Sequence, residues 1–336
     1  LKKDDTVLQK NMEKIMALKH KRDPLIYQGK NKNENYFEGW YFKHVSSDLN
    51  NALSIIPGIS KNKQDSHAFI QVILLFKNNG KLALKSHYFK FSPKEFEFTE
   101  SPFSLIINRN IFSRKGIKLN LIDNEYSIEG SISYSDLADI RRNILSPNAM
   151  GFFAYMPFME CYHDIISMNH DLTGNISINN LNFDFNNGKG YIEKDCGISF
   201  PKEYIWLQSN HFDGSNASIM FSLAHIPFLG TAFQGFICNL AVDGKEYRFA
   251  TYNKSKIIKT IYGEEFLEFI IIRGNYKLVI KAGISQDIGL LRAPANGLMN
   301  VPVKEGLSGD VDLKLFNGTR MLFKGSSKVC AIEIQR

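Results

Sequence analysis

The sequence predicts an all-β protein, made of two successive β-rich halves behind a short N-terminal helix. Three observations carry this. From residue 36 onward, short strand-like runs follow one another with turn residues between them and no long helical stretch. The chain has 26 Phe and 14 Tyr but only 2 Trp, a usage that suits pleated, half-buried surfaces. At 336 residues with 44% hydrophobic content, it is too long for one small core and fits two domains or one large all-β domain.

Residues 4–20 hold the clearest helical pattern. Asp4, Asp5 and Thr6 offer N-cap chemistry, and Val7, Leu8, Met12, Ile15 and Met16 recur at helical spacing. Such a helix packs on the body of the protein or touches a membrane surface. Strand-like runs then cover 36–45, 52–56, 68–76, 82–91, 96–99, 104–108, 117–122 and 126–134, punctuated by Pro57-Gly58, Asn78-Asn79-Gly80 and Ser92-Pro93. A short helix is expected near 136–143. The strand rhythm resumes after His170, at 175–178, 181–185, 218–223, 235–242, 246–251, 257–261, 266–272, 276–282, 311–316 and 329–334, with a connection at 284–302. Runs at this spacing indicate a sandwich or barrel. The expected partition is 1–30, 31–170 and 171–336.

Several function classes drop out. There is no Walker-type loop, GxGxxG, HExxH or GxSxG. The formal charge of +7 is dispersed, with no RNP-like motif, so nucleic acid is not expected as a partner. Cys161, Cys196, Cys238 and Cys330 show neither CxxC nor regular spacing, which points to a reducing, cytoplasmic setting without disulfides. The His residues are scattered and no metal site is expected. No run approaches the ~18 apolar residues of a membrane span, and peripheral membrane contact is left to the 4–20 helix. Residue 1 is Leu, so a leader removed ahead of it stays compatible with the sequence.

The stretch GKGYIEKDCGISFPKEYIWLQSNHF (188–212) is the most unusual. It reads as a hairpin around Pro201-Lys202-Glu203, with Tyr191, Glu193 and Asp195 on one face of the first strand and Tyr204, Trp206, Gln208 and Asn210 on one face of the second. Glu160, His163, Asp164 and His170 follow the aromatic run Phe152-Phe153-Ala154-Tyr155. A carboxyl group enclosed by aromatic rings keeps its proton more readily, and so can act as an acid near neutral pH. Residue types alone leave another reading open, in which Glu193, Lys194 and Asp195 form a solvated strand with a surface ion pair.

YFEGWYFK (36–43), SIIPGIS (54–60), HAFIQV (67–72), MGFFAYMPFMECYHDIISMNH (150–170), the 188–212 stretch, YRFATY (247–252) and LRAPANGLM (291–299) resemble successive motifs of the bacterial tocopherol cyclase-like family. The resemblance runs from residue 36 over almost the whole chain. It implies a lipocalin-like β fold in two halves and closure of a chromanol ring without redox cofactor or metal: an alkene is protonated and a phenol oxygen adds to the resulting cation. Carried onto this sequence, it implies Asp195 as proton donor, with Glu193 as its competitor and His163 orienting the acid or the phenol. His211 is a second orienting candidate, and Tyr36, Trp40, Glu160, Tyr191, Trp206, Gln208 and Asn210 are expected around the substrate. One departure is Cys196, where the family usually has Trp; alternation puts it on the face opposite Asp195. Two other readings accompany this one: a lipocalin-like carrier of a hydrophobic molecule, and a membrane-associated scaffold using the 4–20 helix.

Overall fold

A computed structural model describes residues 23–78, 80–157, 159–228 and 231–336. The expected 4–20 helix lies outside the described residues. The first sheet contains β1 (Tyr36–Val45), β2 (Asn51–Lys61), β3 (His67–Asn78), β4 (Lys81–Phe91), β5 (Phe96–Glu100), β6 (Phe103–Ile107), β7 (Asn110–Ser113), β8 (Gly116–Ile122), β9 (Ser127–Tyr134), β10 (Cys161–Ile178), β11 (Leu181–Asp184) and β12 (Lys189–Gly197). Its order is β4-β3-β2-β1-β12-β10-β9-β8-β7-β6-β5, with β11 paired to β10. The second contains β13 (Tyr204–Ser209), β14 (Ala217–Phe228), β15 (Thr231–Val242), β16 (Lys245–Ala250), β17 (Lys256–Tyr262), β18 (Phe266–Arg273), β19 (Tyr276–Gly283), β20 (Gly289–Ala295), β21 (Leu298–Asn317) and β22 (Arg320–Gln335). Its order is β16-β15-β14-β13-β22-β21-β19-β18-β17, with β20 paired to β21. The ladders are antiparallel. This is an all-β, lipocalin-like fold.

Each sheet curls around its own apolar core, and a third core lies between the sheets. Side-chain alternation produces this directly. On β1, Trp40 and Phe42 enter the first core, while Tyr41 and Val45 enter the interface. On β12, Ile192 faces the first core and Tyr191 the interface. On β13, Ile205 and Leu207 face the second core, whereas Tyr204 and Trp206 face the interface. A strand buried on both faces needs apolar or paired side chains at every position, and every residue of β1 is buried.

The strand order corrects several sequence expectations. The 188–212 stretch is not a hairpin: β12 pairs with β1 and β10, while β13 pairs with β14 and β22 of the other sheet. The chain leaves the first sheet between Gly197 and Tyr204, and residue 170 lies inside β10. Pro57-Gly58 does not punctuate; both sit within β2, where the ladder to β1 is interrupted between Gly39↔Gly58 and Phe42↔Ile55. Proline has no N–H to donate, and Gly58 is required because a Cβ there would fall 2.4 Å from the Phe69 ring. No helix forms at 136–143. Ala138 instead exchanges backbone hydrogen bonds with Met168 and Asn169 beside β10, and Ile140 is buried in the interface. The 284–302 connection contains β20 and the start of β21, and its Leu291 and Ala293 are interface core residues.

Candidate functional site

The site is an open-ended cleft between the two sheets. Its floor comes from β1, β10 and β12 on one side and from β13 and β22 on the other. Phe37, Phe200, Tyr204 and Trp206 give it aromatic walls. Phe200 meets Phe37 and Tyr204 edge-on, with ring centroids 5.3 and 5.9 Å apart, and Trp206 meets Tyr41 edge-on at 5.4 Å. The mouth carries the 3-10 turn Gly151–Tyr155, whose Phe153 stacks on Phe233. Gly151 starts that turn at φ +61°, with the Tyr252 ring where a Cβ would be.

Glu193, Asp195 and His163 converge in this cleft. His163 and Asp195 are register partners on adjacent strands, and His163 Nδ1 lies 3.0 Å from Asp195 Oδ1. The other ring nitrogen, Nε2, is 3.6 Å from Glu193 Oε2. Glu193 Oε2 also accepts hydrogen bonds from Tyr191 Oη at 2.5 Å and Trp206 Nε1 at 3.1 Å. Exposure rises along the series, from 6% for the Glu193 side chain through 14% for His163 to 20% for Asp195. Asp195 is therefore the member most open to a ligand. The Cys161 thiol lies 3.8 Å from Asp195 Oδ1.

Burial disfavours the Glu193 carboxylate; His163 opposes that effect and Asp195 adds to it, and the Glu193 pKa is pushed up to about 8. Burial alone would lower the His163 pKa, but Glu193 and Asp195 together outweigh it and hold the imidazole at about 9. Glu193 and His163 therefore retain protons at neutral pH. The three residues also offer potential metal-ligand atoms within 4.8 Å of one another. The imidazole presents a different nitrogen to each carboxylate, hydrogen-bonding Asp195 through Nδ1 and lying beyond hydrogen-bond distance of Glu193 through Nε2.

A second group faces the first from the other sheet. Tyr204 Oη donates to Glu333 Oε2 at 2.8 Å. Tyr41 Oη donates to Glu305 Oε1 at 2.5 Å and lies 2.8 Å from Ser54 Oγ. Glu305 and Glu333 are partners in the β21–β22 ladder. Burial raises the Glu333 pKa to about 7 despite the Tyr204 hydrogen bond, with Asp195 adding to the rise. Burial and Glu333 keep Glu305 well above the usual carboxylate range.

Among the expected substrate contacts, Glu160 and Trp206 line the cleft. Tyr191 lies beneath it, bonded to Glu193. Tyr36 and Trp40 are on the opposite face of β1. There Tyr36 Oη donates to Glu38 at 2.5 Å, and Trp40 lies 5.0 Å beneath the Lys194 ammonium. The alternation that brings Phe37, Gly39 and Tyr41 to the cleft turns these two away. Gln208 faces the interface away from the cleft, bonding buried Lys43 Nζ at 2.9 Å. Asn210 Nδ2 donates to Gly190 O at 2.8 Å. His211 is not among the cleft-lining residues; burial lowers its pKa to about 3. Cys196 is buried on the face away from Asp195, near Tyr36 and the Glu38–Lys194 pair, as alternation implied. The solvated-strand reading of 193–195 is overturned: Glu193 and Lys194 are buried, and Lys194 pairs with Glu38 at 2.5 Å through the sheet's other face.

The model of the family described as tocopherol cyclase-like matches residues 113–335. The chain belongs to the tocopherol cyclase-like family. The motifs at 36–72 lie upstream of the matched segment. Among curated relatives, the chloroplastic tocopherol cyclase of Zea mays is 24% identical over 222 residues, covering 58% of this chain and 43% of that protein. A chloroplastic protein of Oryza sativa subsp. japonica named "Probable tocopherol cyclase" is 23% identical over 236 residues, 62% of this chain and 46% of its own length. The chain thus spans about half the length of the curated relatives it matches. Among solved structures, CghA with Sch210972 superposes with TM-score 0.56 at 9% identity, covering 89% of this chain and 88% of that one. An AttH-like protein of Nitrosomonas europaea gives 0.51 at 13%, covering 89% and 93%. At these identities the likeness shows the fold alone. No helix among the described residues is long and apolar enough to cross a membrane.

Proposed function

We infer that this tocopherol cyclase-like protein closes a ring on a large apolar, prenylated phenol by acid catalysis. The observation that carries the inference is the Glu193–His163–Asp195 series, in which Glu193 and His163 hold protons at neutral pH and Asp195 opens on an apolar, aromatic cleft. Asp195 passes a proton to an isolated alkene carbon. The π pair forms the new C–H bond, leaving a tertiary cation and the Asp195 carboxylate. Trp206 and Tyr204 present ring faces and edges in the cleft, where electron-rich faces stabilise a cation. The phenol oxygen then bonds to the cation and loses its proton. The overall change is an isomerisation, balanced in atoms and electrons without a co-reactant. His163 reloads Asp195 through Nδ1, drawing on Glu193 through Nε2.

Asp195→Asn tests this with a prenylated hydroquinone as substrate. Turnover is expected to fall by a factor of about 10²–10⁴, the usual contribution of a positioned acid, while binding, followed by quenching of Trp206 fluorescence, is retained. Unchanged turnover would remove Asp195 as donor. Binding without turnover by the unmodified protein would favour a carrier that holds such a molecule without converting it.

A further inference from the structure

The ring closure inferred above needs one group to give a proton and another to take one. The two sheets put proton-carrying groups on opposite walls of the cleft. The first wall has the Asp195 series. The second has Glu333, which lines the cleft, and Glu305 behind it, neither of which stands out in the sequence.

Glu333 is held for a task. Its Oε2 accepts the Tyr204 hydroxyl hydrogen bond at 2.8 Å, and that tyrosine is itself a cleft residue. Its ladder partner Glu305 is wholly buried and fixed through Oε1 by Tyr41. A side-chain hydrogen bond from Glu305 favours the Glu333 carboxylate. Two neighbouring carboxyl groups in an apolar interface, one of them wholly buried, are costly to maintain for structure alone. The same positions filled with apolar side chains would simply extend the interface core made by Val303, Leu307, Val329 and Ala331.

We propose that Glu333 is the base of the reaction: it takes the proton that the phenol oxygen loses as the C–O bond forms, with Tyr204 and Glu305 as its positioning residues. This rests on the ring-closure reading. The step balances: the oxonium O–H bond breaks, its electron pair stays on the ring oxygen, and the proton moves to the Glu333 carboxylate. The donor on one sheet is spent and the acceptor on the other is filled, so the next turnover requires a proton to cross back or exchange with solvent.

The electrostatics agree. A base works best with a pKa near the working pH, and burial brings Glu333 to about 7. Burial and Glu333 hold Glu305 well above the usual carboxylate range, and the hydrogen bond from Glu305 favours the Glu333 carboxylate. The titratable groups facing it are Tyr204 from β13, Glu305 from β21, Glu193 and Asp195 from β12, His163 from β10 and Tyr41 from β1, while Lys43 of β1 acts on Glu305.

The test is the pH profile of kcat/KM for cyclisation of a short-chain prenylated hydroquinone by the full chain. The unmodified protein is expected to show an acidic limb, with activity rising as Glu333 loses its proton near neutral pH. Glu333→Gln should lower kcat at least about 100-fold and abolish that limb, with binding unchanged by Trp206 fluorescence. Glu333→Asp should keep the limb, which separates loss of the base from loss of the fold. Tyr204→Phe removes a hydrogen bond that favours the carboxylate, so the limb should move to higher pH. An active parent whose limb and rate survive in Glu333→Gln would overturn the proposal and leave the ring-closure reading standing. A parent that binds the hydroquinone but never cyclises it would overturn both.

Discussion

His163 sits with Asp195 on its Nδ1 side and Glu193 on its Nε2 side, and this arrangement ties stability to pH. Its folded pKa of about 9 lies above the ordinary 6.5, so its contribution is fully present below pH 6.5 and is lost as pH rises through 9. Glu193, at about 8 against an ordinary 4.5, also binds its proton more tightly in the fold, so stability falls between pH 4.5 and 8 as well. Both signs agree. Denaturant midpoints measured from pH 6 to 9.5 should therefore fall more steeply for the parent protein than for the double variant His163→Gln, Glu193→Gln. The His163 part is worth about 3 kcal/mol. Parallel profiles for the two proteins would show that the imidazole is not held between carboxylates. These three residues were legible because they lie close in sequence around two conspicuous motifs. Glu333 and Glu305 were not. Each is a single acid in a long strand, and only the β21–β22 register, together with the packing of one sheet on the other, brings them opposite Asp195. The one hint was an acid in an otherwise apolar run, Val329 to Ile334.

At the scale of the element, β1 and β12 carry a charge pair through the middle of a sheet. Glu38 and Lys194 are buried, 2.5 Å apart. Glu38 also accepts the backbone N–H groups of Gln28 and Gly29 and the Tyr36 hydroxyl, while Lys194 donates to Ile26 O. The pair thus fastens the segment before β1 across the first core, where Leu25 is buried. Removing one member leaves the other charged and enclosed. Lys194→Met should cost about 3 kcal/mol or more in urea unfolding, and adding Glu38→Gln should recover part of it. A double variant no more stable than the single would show that the carboxylate is satisfied without its lysine. The strands themselves were largely readable: the run at 36–45 matches β1, and 117–122 matches β8 to within a residue. Reading failed where tertiary context overrode local punctuation. Pro57-Gly58 is held in β2 by flanking strands, and Gly289–Ala295 pairs with β21 despite Pro294. The alternation of β1 was equally visible, but not which face was which. Both faces are buried, so the sequence pattern has no polar side to mark the cleft.

For the whole molecule, the question is whether two curled sheets act as one body. The interface core draws Tyr41, Val45, Ile73, Ile165 and Tyr191 from the first sheet, and Trp206, Met220, Val303, Val329 and Ala331 from the second. Polar links cross it too, among them Tyr41 to Glu305, Lys43 to Gln208, Trp206 to Glu193 and Gln71 to Arg292. Separating the sheets would expose that core and leave Lys43, whose pKa burial lowers to about 8, without its acceptors. An interface this apolar couples the two halves in unfolding. The two tryptophans report on it separately, because Trp40 is in the first core and Trp206 in the interface. In Trp40→Phe, fluorescence reads only the interface; in Trp206→Phe, only the first core. Within each variant, fluorescence and far-ultraviolet circular dichroism should trace the same denaturant transition. Should the Trp206 signal in Trp40→Phe change at lower denaturant than the dichroism, the sheets part before they unfold. A cleft floored by both would then be opened by domain separation as well as through its mouth. A single coincident transition would mean that ligand enters without the sheets parting, at the part of the cleft where Phe153 stacks on Phe233. Replacing Phe153 with Trp should then narrow that entrance and slow ligand association, with little effect on dissociation of the two sheets.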